Sequence, residues 1–96
     1  MATYVSLINY TDQGIRNVKE SPKRVDAARK LLKDLGGELK AFYLTMGTYD
    51  IVTVAEAPND ETVAKFVLVL ASGGNVRTLT MKAFTEPEYR KLISTL

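Results

Sequence analysis

The spacing of apolar and polar positions changes several times along this 96-residue chain, and each change marks an element. Residues 3–10, TYVSLINY, are rich in β-branched and aromatic side chains and predict a strand. In TDQGIRNVKE, Thr11 or Asp12 is placed to cap a short helical turn, with Ile15 and Val18 directed inward. SPKRVDAARKLLKDLGG then takes helical spacing, with Val25, Ala28, Leu31, Leu32 and Leu35 in one apolar stripe. Ser21 is its expected N-cap and Pro22 its first helical residue, where a missing N–H costs nothing; Gly36 and Gly37 end it. Residues 38–46, ELKAFYLTM, predict a second strand, Gly47-Thr48 a two-residue turn with glycine first, and YDIVTVAEA a third strand. Asp60 is the expected cap of ETVAKFVLVLAS. Val63, Phe66, Val67 and Leu70 of that helix point inward, leaving Leu68 and Val69 at its flank, and Gly73 and Gly74 stop it. NVRTLTMKAF reads as the fourth strand. Thr85 and Glu88 then stand at capping-box spacing and open a short terminal helix with Tyr89, Leu92 and Ile93 inward.

The order β-α-β-β-α-β plus a terminal helix predicts an α+β fold of the ferredoxin-like kind in one domain, residues 1–96. Right-handed crossovers put both main helices on one face of a four-stranded antiparallel sheet, in the order 4-1-3-2. The strands should then alternate, apolar toward the helices and polar toward water, and they do not. In the hairpin, Phe42, Leu44, Met46, Tyr49 and Ile51 share one face while Leu39, Ala41, Tyr43, Val52 and Val54 share the other, and both sets are largely apolar. An apolar second face needs a cover. The simplest cover is a second copy of the chain, and the alternative is the terminal helix folded across it; Leu68 and Val69 are either ordinary surface residues or the contact that packs dimers into a larger assembly.

Composition narrows the function by exclusion. With 46 % apolar and 25 % charged residues the chain has enough apolar content to fold. A net charge of +2 is too weak a field for nucleic acid, and no strand carries the aromatic pattern of an RNA-stacking sheet. There is no cysteine, so disulfides and thiolate chemistry are excluded, and no histidine, the commonest general base and metal ligand. Asp12, Asp50, Glu56 and Asp60 follow no ligand spacing, so neither metal nor cofactor is expected. No apolar run is long enough to span a membrane and no basic-then-apolar leader opens the chain, so a cytoplasmic location is the expectation.

One stretch asks for more than hairpin chemistry. FYLTMGTYDIV places a tyrosine and an acid directly after the turn. The segments NYTDQGIRNVKESPKR, FYLTMGTYDIVTVAEAPND and GNVRTLTMKAFTE together resemble the GYD domain family, over about residues 3–90. Thr48 stands between Gly47 and the Tyr49-Asp50 pair, one residue more than the family's signature tripeptide has. The resemblance implies bacterial or archaeal proteins with a ferredoxin-like, dimeric α/β-barrel type of fold, and it implies no activity.

The candidate ligand-binding residues are Asn9, Tyr10 and Thr11 at the end of the first strand, Arg16, Tyr43, the Gly47, Tyr49 and Asp50 of the turn, and Arg77. Asp50 has a structural alternative, accepting backbone N–H groups from residues 9–14 or pairing with Arg16 or Arg77. Strands one and three are expected to run parallel. That would set the turn beside Thr3, Tyr4, Lys82 and Phe84, and Arg77 with Asn9 and Arg16 at the opposite end. Three functions follow as expectations: a small molecule bound in a cleft at the dimer interface, a structural or interaction module without ligand, or a cofactor-free oxygenase or isomerase using Asp50 and a tyrosine as acid and base.

Overall fold

The computed structural model describes residues 1–96. Its elements are β1 (Ala2–Tyr10), α1 (Asp12–Arg16), a 3-10 turn (Val18–Glu20), α2 (Ser21–Asp34), β2 (Glu38–Leu44), β3 (Ile51–Ala57), α3 (Asp60–Ser72), β4 (Val76–Ala83) and α4 (Glu86–Ser94). The strands form one sheet in the order β2-β3-β1-β4, which is the expected order read from the other edge. All neighbouring pairs are antiparallel, giving the ferredoxin-like α+β arrangement. The expectation that strands one and three run parallel is therefore wrong. The crossover through α2 makes β1 and β2 parallel, and β3, returning between them by a hairpin, must oppose both. Ile8 faces Ile51 across the β1–β3 ladder, so the start of β3 lies beside the end of β1.

The hairpin differs from the predicted two-residue turn. Ladder pairing stops at Leu44–Ile51, and residues 45–50 form a loop closed by Thr45 N–H to the Asp50 carbonyl (2.8 Å) and Thr45 Oγ1 to the Tyr49 carbonyl (2.7 Å). Asp50 also ties the loop to β1, its own N–H donating to the Ile8 carbonyl (2.9 Å). A bulge between Leu39 and Ala41 also moves Leu39 to the opposite face from Ala41, Tyr43, Val52 and Val54.

Alternation along the strands sets the layers. Tyr4, Ile8, Ile51, Thr53 and Ala57 are buried and face the helices. Val25, Ala28 and Leu31 of α2 and Phe66, Val67 and Leu70 of α3 lie over them, as the helical stripes predict. Leu68 and Val69 stay exposed on α3.

Several caps and turns resolve differently from expectation. Ser21 does not cap α2; it is the first helical residue, and its hydroxyl meets that of Tyr10 at 2.9 Å. Asn59, not Asp60, caps α3, accepting the Thr62 N–H at 2.9 Å. Thr11 caps α1 and the Thr85–Glu88 capping box opens α4, both as predicted. Ile15 and Val18 are exposed, not inward. The single turn of α1 is too short to turn two residues to the core, and the one it buries is Gly14. Tyr89, Leu92 and Ile93 are also exposed. Every residue of α4 is open to solvent, so the helix neither joins the core nor covers the second sheet face.

Candidate functional site

The antiparallel β1–β3 pair brings the GYD loop to the end of β1. Asp50 Oδ2 accepts the Tyr10 backbone N–H at 2.9 Å, the structural role foreseen for it, and no arginine pairs with it. Thr11 is held three ways: its N–H donates to the Asn75 carbonyl (3.0 Å), its hydroxyl donates to the Gly74 carbonyl (2.6 Å), and the same oxygen accepts the Gly14 N–H (3.1 Å). The Tyr10 hydroxyl is shared with Ser21. Three of the candidate polar groups thus fasten the β1–α1 turn to the loop before β3, to α2 and to the turn before β4.

The other candidates fall in different places. Asn9 and Arg77 are cross-strand partners on β1 and β4, on the face away from the helices, and neither side chain is hydrogen-bonded within the chain. Tyr43 lies on that same face of β2, exposed. Gly47 has φ +149° with no atom within 4 Å of where a Cβ would stand, so an open loop that favours glycine accounts for it. The Tyr49 carbonyl serves the loop through Thr45, and Arg16 is exposed on α1. The neighbours expected for the turn are instead at the far end of the sheet, where Thr3 pairs with Ala83 and Tyr4 with Lys82.

The face away from the helices carries two apolar rows. One runs Tyr43, Val52, Leu7, Leu79 and the next Ala41, Val54, Val5, Met81. None of these eight is buried in the chain. Phe84, Tyr89, Leu92, Ile93 and Leu96 add a second exposed apolar set on and around α4.

Two features have no counterpart in the sequence reading. The first is a cavity of about 330 Å3 between α2, α3 and the sheet, with mostly apolar walls. The second is at the opposite end of the sheet, where the Tyr4 hydroxyl donates to Asp60 Oδ1 and Lys82 Nζ stands 3.9 Å from the same oxygen. The hydrogen bond to Asp60, burial and the carboxylate's charge together push the Tyr4 phenol up to about 12. Alternation along β1 put Tyr4 on the helix side, a signal that a buried hydroxyl there required a partner.

The fold defines a class of small ferredoxin-like α+β proteins, and comparison with known proteins narrows it. The chain belongs to the GYD domain family, whose description matches residues 4–93. It is 38 % identical over 84 residues to a Thermus thermophilus protein named glutamine synthetase and cystathionine beta-lyase binding protein, covering 86 % of this chain and 88 % of that one. The crystal structure of TTHA0845, also from Thermus thermophilus, superposes with a TM-score of 0.57 at 25 % identity, over 88 % of this chain and 95 % of that one. FFRP-DM1 superposes at 0.59 and 22 % identity, over 88 % of this chain and all of the other, a likeness of fold. No helix of the chain is long and apolar enough to cross a membrane.

Proposed function

We propose that residues 1–96 act as one oligomeric, cytoplasmic protein-binding module, whose open sheet face seats a second copy and whose remaining surface attaches to a metabolic enzyme. The observation that carries this reading is the pair of apolar rows across the sheet, left bare because no residue of α4 is buried over them. Burial of one leucine or methionine side chain is worth about 1.5–3 kcal/mol, so covering both rows twice over in a symmetric pair is a large driving term. The naming of the Thermus relative as a binding protein for two enzymes supports the second half of the reading. So does the use of Tyr10, Thr11 and Asp50 in fastening loops, which leaves those groups engaged and not poised for acid–base work.

The test is sedimentation velocity of the chain mixed with glutamine synthetase or with cystathionine β-lyase from the same organism. A faster-moving complex with either enzyme at micromolar concentration is expected. Independent migration with both would overturn the attachment. A small molecule at the dimer interface keeps one observation in its favour: Asn9 and Arg77 stand side by side at the end of the apolar rows with unused hydrogen-bonding capacity. On that reading Arg77→Ala abolishes ligand-induced stabilisation while the chain stays dimeric; stabilisation that survives in Arg77→Ala excludes it.

A further inference from the structure

We propose that the cavity between α2, α3 and the sheet binds a small apolar monocarboxylate, about the size of octanoate. The site lies within one protomer and depends on neither the dimer nor an enzyme partner. Its floor is Ile8, Phe42 and Ile51 from the sheet, and its walls include Leu31 of α2 with Phe66 and Leu70 of α3. Ala27 and Ala28 stand where larger side chains would bring the helices together, and Ala27 and Val69, which line the space and are themselves exposed, place its mouth between them. At about 30 Å3 for each non-hydrogen atom, the share one water takes in liquid, 330 Å3 admits roughly ten or eleven such atoms. Octanoate has that size.

The carboxylate is argued from the polar end of the same cavity. Arg24 lines it beside Tyr10, Ser21 and Asn75. Two of its N–H groups are fixed, Nη1 on the Asn17 carbonyl at 3.1 Å and Nη2 on the Gly14 carbonyl at 3.4 Å. A guanidinium has five donors, so three remain. No carboxylate of the chain lies within 4 Å of it; of the other cations of α2 only Lys33, which does not line the cavity, is likewise unpaired, while Lys23, Arg29 and Lys30 each have an acidic neighbour. A cation held in place by carbonyls at the lining of an apolar chamber, without a counter-ion, fits a ligand that brings its own negative charge. The Tyr10–Ser21 hydroxyl pair can offer a further donor.

The test uses the intact chain and a series of straight-chain carboxylates, read by isothermal titration and by the rise in melting temperature. Octanoate should bind, and each methylene removed should weaken binding about fourfold, so that hexanoate is about fifteenfold weaker. Lengthening to dodecanoate should gain nothing, because the chamber is full. Arg24→Gln should remove the preference for octanoate over octanol while leaving octanol binding in place. Ala28→Phe, which fills the chamber, should abolish binding of both; Ala27→Leu serves the same purpose if the phenylalanine variant does not fold. The proposal is overturned if octanoate neither releases heat nor raises the melting temperature at millimolar concentration. It is equally overturned if affinity keeps climbing through dodecanoate, the mark of surfactant adsorption, or if Arg24→Gln and the filled variants bind as the native chain does.

Discussion

Gly14 is where the fold leaves least room, and Gly14→Ala is the sharpest perturbation the structure offers. A Cβ at this position would stand 2.0 Å from the Asn75 carbonyl oxygen and 2.9 Å from its carbonyl carbon. Both atoms are backbone, so neither can swing aside. Ordinary contact begins near 3.4 Å, and the turn must retreat by about 1.4 Å. Three of the bonds that cross this junction are Thr11 N–H to the Asn75 carbonyl (3.0 Å), the Thr11 hydroxyl to the Gly74 carbonyl (2.6 Å) and Gln13 Nε2 to the Gly73 carbonyl (3.1 Å). At about 0.5–1.5 kcal/mol each, their loss predicts a destabilisation of about 2–4 kcal/mol. For a domain near this length that lowers the melting temperature by roughly 10–25 °C. Urea unfolding followed by circular dichroism reads the change as a lower midpoint at unchanged slope. Gly73→Ala is the matched control. Its Cβ would meet the Leu70 carbonyl at 3.4 Å, so that variant should be neutral or slightly stabilised. A Gly14→Ala variant that loses less than about 1 kcal/mol, or a Gly73→Ala variant that loses as much as Gly14→Ala, would mean that the contact with Asn75 is not what holds this junction.

Two further perturbations probe the ends of the sheet. The Tyr4 phenol, raised from 10.0 to about 12, keeps its proton longer in the folded state than in the unfolded one. Stability is therefore complete below pH 10 and falls as pH climbs from 10 toward 12. The full shift corresponds to about 2.7 kcal/mol, but Asp60 is 73 % exposed and water screens the pair, so about 1 kcal/mol is expected. Tyr4→Phe should lose that part of the alkaline slope; identical slopes in the two chains would contradict the pairing. At the other end, Asp50→Ala releases the Tyr10 N–H and should cost about 1–2 kcal/mol, with Asp50→Asn costing less because an acceptor remains. An unchanged urea midpoint in Asp50→Ala would mean that the carboxylate is no strut.

The elements were legible because their signals are local. The stripe from Val25 to Leu35, the Thr85–Glu88 capping box and the β-branched runs of β1 and β3 each declare themselves within a few residues. The topology followed from their order. What stayed hidden depends on pairs distant in sequence. Gly14 looks like any loop glycine until Asn75 is placed against it. Asp60 looks like a cap until Tyr4 is found beneath it, and Asn59, one residue earlier, takes the capping role. The bulge at Lys40, set by no residue pattern, carries Leu39 from the predicted face to the other. The inward reading of Tyr89, Leu92 and Ile93 failed for a different reason. A helical stripe shows that a face is apolar and not what it meets, and here it is left exposed. Of the candidate site, the closeness of Asp50 to residues 9–11 was the structural alternative in hand, lost only through the mistaken parallel pairing of β1 with β3.

Whether a second copy covers the bare rows of the sheet is decided by sedimentation equilibrium of the native chain and of Leu7→Lys from micromolar to millimolar concentration. The native chain should show a mass at least twice the 10.6 kDa of one chain. The variant should associate a hundredfold or more weakly, since an unpaired ammonium in that face costs about 3 kcal/mol or more. A native chain that sediments at 10.6 kDa throughout that range contradicts a second-copy cover.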